Sequence, residues 1–218
     1  DGTSNPITGS NIPLATLGVF LLWFGWFGFN AGSTTTGDTS IALIALNTLL
    51  SAAAAGLASL VCSYLISGMA KVEYLLNGVL GGLVAITAGC HVFTPALSVL
   101  VGFIGGFVLV LSMLLIEHKL KLDDAVGAFP VHGVGGVWGT IAVALFAPGD
   151  LLQTGSRLEQ LGVQLLGVGS AFIWSFGLGF LVFWALKKTM GIRVKSEDEL
   201  SGLNYAEHGA KIALMDSV

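Results

Sequence analysis

The sequence predicts an all-α integral membrane protein, and three observations support this fold class. Hydrophobic residues make up 54% of the 218-residue chain and charged residues only 10%, whereas soluble domains carry about 25% charged residues. Several apolar runs reach the roughly 20 residues that a helix needs to cross a bilayer. The short alternating segments of a membrane β-barrel are missing from the sequence pattern. We therefore expect a helical bundle embedded in lipid.

Six apolar runs are long enough to predict six transmembrane helices. They are run A (13–33), run B (40–68), run C (75–92), run D (96–117), run E (125–147) and run F (159–187). We expect residues 1–190 to form the membrane domain. The polar and charged residues 191–218 are expected to form a cytoplasmic tail.

The lysine and arginine distribution predicts the orientation of these helices. Loops on the side of the N-terminal residues carry eight of the nine basic residues, and only Arg157 falls on the opposite side. The eight are Lys71, Lys119, Lys121, Lys187, Lys188, Arg193, Lys195 and Lys211. Because cytoplasmic loops are enriched in lysine and arginine, both ends of the chain are expected in the cytoplasm.

Run E contains a histidine, His132, within the glycine-rich stretch DDAVGAFPVHGVGGVWG at 123–139. A charge at the bilayer centre costs roughly 2.5 kcal/mol or more. Neutral histidine avoids most of this cost while still donating and accepting a hydrogen bond. Two interpretations stay open: a buried imidazole that bonds a neighbouring helix, and a residue of a proton or polar-solute pathway.

Other residues of run E predict local features of its helix. Pro130 lacks a backbone N–H and is expected to kink the run. Asp123 and Asp124 precede it, where carboxylates cap helices, and an ion-binding role is the less favoured alternative. By rise per residue, Trp26 of run A and His132 both lie within about two turns of mid-bilayer and could face one pathway.

Run A contains LLWFGWFGFNAGS, in which Trp23, Trp26 and Phe29 recur every three residues and so share a helix face. By spacing alone, such aromatic residues pack in a core or face lipid. The alternative is that their rings attract a cation, which contributes roughly 0.5–2 kcal/mol. Asn30 and Ser33 place polar groups near the outer end of this run.

Glycine pairs spaced by four residues predict close helix contacts. They are Gly28/Gly32, Gly78/Gly82, Gly102/Gly106 and Gly135/Gly139.

Several classes of function find no support in the residue pattern. No nucleophile and base pair, phosphate-binding loop, dinucleotide motif or metal-ligand spacing is present in the sequence, so we expect no enzyme activity, cofactor or metal. No basic patch interleaved with aromatic residues predicts nucleic-acid binding.

Four stretches in sequence order resemble the ammonium transporter family (Amt/Mep/Rh). They are GWFGFNAGS at 25–33, LLNGVLGGLVAITAGC at 75–90, the stretch at 123–139, and RVKSEDELSGLNYAEHG at 193–209. The resemblance implies part of an eleven-helix fold, with two inverted five-helix repeats and a last helix, assembled as a homotrimer. This chain resembles helices six to eleven, so we expect an N-terminal half of the same protein as its partner.

The resemblance also implies roles for particular residues. Trp26 and Leu22 would line the pore, and Phe29 would belong to the outer phenylalanine gate. Ser33 would contribute to the outer ammonium site. His132 would be the second of two pore histidines, the first lying in the fifth helix.

The tail motif resembles the segment that couples subunits and contacts PII-type regulatory proteins. It departs from the family pattern at Asn204, where aspartate is common, and at Ala210, where an acidic residue is common.

The expected function is transport of ammonium and ammonia across the cell membrane through an apolar pore, with deprotonation and a histidine proton relay. Two alternatives remain: an ammonium sensor that signals through a partner, and a half-protein that does not conduct when alone.

Overall fold

The computed structural model describes residues 9, 11–203, 207 and 209, and within them it contains helices and no β-strand. The helices are α1 (Ile12–Asn30), α2 (Ser40–Ser67), α3 (Val72–Thr87), α4 (Pro95–Leu114), α5 (Gly135–Phe146), α6 (Arg157–Thr189) and α7 (Ser196–Ser201). A π-helical turn, Leu115–Lys119, extends α4, and another, Phe129–Val134, precedes α5. The predicted all-α membrane fold is confirmed.

Five helical stretches in the described residues are long and apolar enough to cross a membrane, and α3 is shorter. Its 16 residues rise about 24 Å, less than the roughly 30 Å hydrocarbon core. Run C was predicted to continue to residue 92, but the helix ends at Thr87. Backbone turns follow, in which Gly89 N–H donates to the Ile86 carbonyl (3.0 Å) and Phe93 N–H donates to the Gly89 carbonyl (2.9 Å).

Side-chain caps and a glycine define several helix ends. The Asn11 carboxamide oxygen accepts from Leu14 N–H at 2.9 Å, and Thr94 caps α4 by accepting from Leu97 N–H at 3.3 Å. Helix α2 ends at Ser67 and is capped by Gly68, whose φ of +71° favours glycine.

The centre of the bundle is the three-helix contact between α2, α3 and α4, which is built from small residues. A Cβ added to Gly82 would lie 2.6 Å from the Ser51 carbonyl oxygen and from the Ala55 Cβ. One added to Gly106 would lie 2.5 Å from the Ala55 carbonyl oxygen. These glycines therefore let the backbones approach closely, as predicted for the pairs at 78/82 and 102/106.

Buried polar side chains of α2 bond to backbone carbonyls across these contacts. The Ser51 hydroxyl donates to the Gly82 carbonyl at 2.8 Å, and the Ser59 hydroxyl donates to the Gly106 carbonyl at 3.1 Å. Such groups need partners because lipid offers none.

Two other predicted glycine contacts differ from the structure. Added Cβ atoms at Gly28 and Gly32 would meet nothing within 4 Å, so the predicted close contact there is wrong within the described residues. In run E, a Cβ on Gly139 would collide with the backbone of Ala85, whereas one on Gly135 would make an ordinary contact at 3.5 Å. Only Gly139 of that pair requires the absence of a side chain.

The chain divides into two compact units, Asp1–Val168 and Gly169–Val218. In the second unit, the rings of Phe172, Phe176 and Phe180 stack along one side of α6. After α6, the Arg193 guanidinium pairs with both carboxylate oxygens of Glu199. This arginine lowers the pKa of the Glu199 carboxyl. Asn204 and Ala210, at which the tail departs from the family pattern, lie outside the described residues.

Candidate functional site

The segment that carries His132 begins with a side-chain cap. The Asp124 carboxylate accepts hydrogen bonds from Ala128 N–H (2.8 Å) and Phe129 N–H (2.9 Å). This is the capping role favoured from sequence. No such bond to the neighbouring Asp123 carboxylate is found in the described part of the chain.

Run E was predicted as one helix over 125–147, but residues 125–127 are not helical and Phe129–Val134 form a π-helical turn. Pro130, the second residue of the turn, has no N–H to donate, and Gly135 N–H donates to the carbonyls of His132 and Pro130. The expected disturbance at Pro130 therefore takes the form of a wider turn. Such π-helical turns are frequent at functional sites.

His132 itself is exposed, although the residue before it is buried. Val131 is 2% exposed and packs with Cys62, Leu109 and Val110, so the backbone beside the histidine is fixed. Within the described residues we find no hydrogen bond to the imidazole. Both ring nitrogens are thus available to a solute or to groups outside the described residues.

The aromatic residues of α1 form two pairs. The Trp26 and Phe29 ring centroids are 5.4 Å apart, and those of Phe20 and Trp23 are 6.5 Å apart. Trp23 and Trp26 also pack against the buried cluster that includes Val19. The spacing by three residues thus corresponds to a real contact between Trp26 and Phe29.

Trp26 is also tied to α3 by a hydrogen bond. Its indole N–H donates to the Thr87 hydroxyl oxygen at 3.0 Å, and that hydroxyl donates to the Leu83 carbonyl at 2.8 Å. Sequence reasoning missed Thr87. Its only signal was a polar residue near the C-terminal end of an apolar run, which many transmembrane helices have.

A cavity of about 380 Å³ opens near the C-terminal ends of α1 and α3 and the N-terminal end of α2. It is lined by Phe29, Asn30, Ser33, Thr34, Ser40, Leu43, Ile44, Thr87, Cys90 and His91. The structure therefore brings together two of the predicted site residues, Phe29 and Ser33. Leu22, Trp26 and His132 do not line this cavity, and Leu22 is 50% exposed.

Polar groups of the cavity are partly engaged with backbone. The Ser33 hydroxyl donates to the Phe29 carbonyl, which leaves its oxygen free to accept. The Asn30 amide nitrogen donates to the Thr48 hydroxyl oxygen at 2.9 Å, while its buried carbonyl oxygen has no partner among the described residues.

One carboxylate lies beside the cavity. Asp38 accepts hydrogen bonds from the hydroxyl and the backbone N–H of Ser40, which lines the cavity. These bonds, the hydroxyl first, lower the pKa of the Asp38 carboxyl. Asp38 therefore stays ionised at neutral pH and adds negative potential near the cavity.

Comparison with known proteins connects these features to one family. A model of the Ammonium Transporter Family matches residues 1–212. The ammonium transporter Amt2 of Archaeoglobus fulgidus is 45% identical over 222 residues, which cover 96% of this chain and 47% of that relative. The putative ammonium transporter sll0537 of Synechocystis is 42% identical, over 96% of this chain and 39% of the relative.

Solved structures agree in fold. A structure named "Sensor Amt Protein" is 50% identical and superposes with a TM-score of 0.90, over 95% of this chain and 52% of that protein. Mep2 of Candida albicans is 26% identical with a TM-score of 0.80, over 88% of this chain and 45% of Mep2. The chain thus spans about half the length of the relatives it matches. Sequence and fold lead to the same assignment, and the chain belongs to the Ammonium Transporter Family.

Proposed function

We propose that this protein transports ammonium and ammonia across a membrane and that His132 relays a proton in the pathway. The observation that carries the proposal is an exposed imidazole, with no hydrogen bond found in the described residues, inside a transmembrane segment of an ammonium transporter family member. The curated relatives described above are named as ammonium transporters or putative ammonium transporters, which supports this substrate.

The proposed mechanism follows from the cost of moving a charge through an apolar pore. Ammonium pays a desolvation penalty of several kcal/mol in such surroundings. Releasing a proton at the outer side lets neutral ammonia continue. His132 then accepts or relays the proton and hydrogen-bonds ammonia, because an imidazole can both accept and donate a proton. Potassium cannot lose its charge in this way and is excluded.

Residues at the outer end would recruit the cation. We assign Ser33 and Phe29 to the outer site, since both line the cavity described above. Trp26 and Leu22 are assigned to the pore below it. Asp38 would attract ammonium over a longer range, because its carboxyl stays ionised beside the cavity.

The rest of the pore wall is proposed to come from a further half-length of protein. Its support is that this chain covers only 47% of the Archaeoglobus relative and 52% of the "Sensor Amt Protein". We further propose a homotrimer in the cell membrane with both ends of this chain in the cytoplasm. The tail from residue 191 is proposed to meet a PII-type regulator.

The test is the ammonium-driven current of the full-length protein in liposomes, measured for wild type, His132→Ala and His118→Ala. His118 is a matched control because it is also exposed but does not line the cavity of Phe29 and Ser33. We expect His132→Ala to reduce the current by about 100-fold, in line with the loss of a proton-transfer group. An unchanged current would contradict the relay role of His132.

The same experiment separates transport from sensing. A protein that binds ammonium without any flux would act as a sensor, an alternative that the transporter names of the curated relatives do not favour. We expect the 218-residue chain alone not to conduct. Robust flux from it would show that the proposed second half is unnecessary.

A further inference from the structure

We propose that Thr87 is a positioning residue for transport: its hydroxyl fixes the Trp26 indole so that the ring, and not its N–H, is presented to the passing solute. The inference rests on the proposed function and adds a residue to it. Its basis is a hydrogen-bond chain that joins two helices through residues 61 positions apart in the sequence.

The direction of the two bonds decides what each group can still do. The Thr87 hydroxyl donates its hydrogen to the Leu83 carbonyl at 2.8 Å, so its oxygen is left to accept. The Trp26 N–H donates to this oxygen at 3.0 Å. An indole has only one hydrogen-bond donor, which is thereby withdrawn from solute. What remains for a cation is the face of the ring.

Helix α1 needs such a fixed point because little of it is packed. Only Val19 and Asn30 are buried in this helix, and Trp26 is half-buried. Among the described residues, the side-chain hydrogen bonds that join α1 to other helices are those of Trp26 with Thr87 and of Asn30 with Thr48. The bond to Thr87 therefore ties the half-buried indole to one orientation against α3.

The position of Thr87 adds a consequence for the outer site. Thr87 lines the same cavity as Phe29, whose ring centroid is 5.4 Å from that of Trp26. A rotation of the indole would therefore disturb the Phe29 ring as well. The hydrogen bond from Trp26 to Thr87 therefore affects the positions of both rings, Trp26 directly and Phe29 through its contact with Trp26.

The test combines transport with a direct report on the indole. The full-length protein that contains this chain is labelled with 5-fluorotryptophan, its Trp26 fluorine resonance is assigned with Trp26→Phe, and ammonium-driven currents are measured on the same preparations. The variants are Thr87→Val, which keeps the shape but removes the hydroxyl, and Thr87→Ser, which keeps the hydroxyl. Thr16→Val is the control, because the Thr16 hydroxyl bonds only to Ile12 of its own helix.

We expect Thr87→Val to shift or broaden the Trp26 resonance and to lower the maximal ammonium current about three- to tenfold, which corresponds to the loss of one hydrogen bond. Thr87→Ser should restore both, and Thr16→Val should change neither. Should Thr87→Val fail to fold, Thr87→Ala serves the same purpose, since Thr87 is only half-buried.

Two results would overturn the proposal. One is an unchanged resonance or an unchanged current in Thr87→Val, and the other is equal damage from Thr87→Ser and Thr87→Val, which would indicate packing instead of hydrogen bonding. If the wild-type protein carries no ammonium current, the proposed function fails. The resonance comparison still decides whether Thr87 orients Trp26.

Discussion

Helices α1 and α2 are both apolar enough to span a membrane, yet α2 is largely packed against other helices of the chain and α1 is largely exposed. Eleven of the 28 residues of α2 are buried, but only two of the 19 residues of α1 are. The buried residues of α2 are mainly alanine, serine, glycine and other small residues. The exposed residues of α1 include large ones, among them Phe20, Leu21 and Phe24.

The difference shows that, within this chain, apolarity does not decide which membrane helix is buried. Lipid tails solvate leucine and phenylalanine as well as a protein interior does, so large side chains gain little from burial. Small side chains gain more because they let backbones approach closely and allow buried hydroxyls to reach carbonyls. Residue size therefore separates α2 from α1, and the following variants test this.

The largest effect is expected for Gly82→Ala. Its new Cβ would lie 2.6 Å from the Ser51 carbonyl oxygen, part of the backbone, which cannot move aside cheaply. We expect a loss of about 1–3 kcal/mol in the free energy of unfolding in mixed detergent micelles. Gly28→Ala is the matched control, because its Cβ would meet nothing within 4 Å. Equal destabilisation by Gly28→Ala would mean that α1 is covered by protein outside the described residues.

A smaller effect is expected for Asn47→Ala. The Asn47 amide donates to the carbonyls of Cys90 (2.9 Å) and Phe93 (2.8 Å) and so ties α2 to the turns after α3. Losing both bonds should cost about 1–2 kcal/mol of unfolding free energy. Asn30→Ala, measured in the same micelles, removes the single bond from α1 to Thr48 and should cost about half as much. A larger loss of unfolding free energy for Asn30→Ala than for Asn47→Ala would contradict the conclusion that α2 is more firmly packed than α1.

The third prediction concerns the side-chain cap at the start of the segment that carries His132. Asp124→Ala removes the acceptor of two backbone N–H groups and should destabilise the protein by about 1 kcal/mol. Asp123→Ala should have almost no effect. The melting temperatures of the two variants compare neighbouring carboxylates, of which only Asp124 has capping bonds in the described residues. Similar decreases in melting temperature would mean that the cap does not stabilise the protein.

The smallest effect concerns Asp38, which precedes α2. Its pKa is lowered in the folded protein by the Ser40 bonds, so its contribution to stability is present above the ordinary carboxyl pKa and is lost as pH falls through the lowered value. Asp38→Asn should therefore make the melting temperature fall less between about pH 5 and pH 3. Parallel pH profiles for wild type and variant would show that the bonds to Ser40 do not favour the ionised form.

Much of the fold could be predicted from the sequence because spanning helices must be long and apolar. Run B was predicted over 40–68 and forms α2, Ser40–Ser67. The ends of runs C and E were less accurate, because hydropathy continues through the turns after Thr87 and through the π-helical turn at Pro130. Glycine spacing predicted the α2–α3–α4 contacts but also the wrong contact at Gly28, since spacing does not reveal what faces a glycine.

For the candidate site, the sequence predicted residues but not their partners. Phe29 and Ser33 lie together at the cavity beside the C-terminal end of α1, as their spacing of four residues requires. The roles of Phe29 and Ser33 in binding ammonium, and those of Leu22, Trp26 and His132 in a pore, remain predictions. Thr87 was missed because a hydrogen bond between α1 and α3 depends on how the helices pack, which one-dimensional patterns do not encode.

The hydroxyls of α2 have a consequence for synthesis in the cell. Ser51 and Ser59 donate to the carbonyls of Gly82 and Gly106, which follow these two serines in the chain by 31 and 47 residues. A ribosome therefore delivers α2 to the membrane before its partners exist. During that interval its polar groups meet lipid, or are sheltered by the insertion machinery or by earlier helices. Stalling the ribosome after α2 would allow this intermediate to be studied. The three helices can pack together only after α4 has been synthesised.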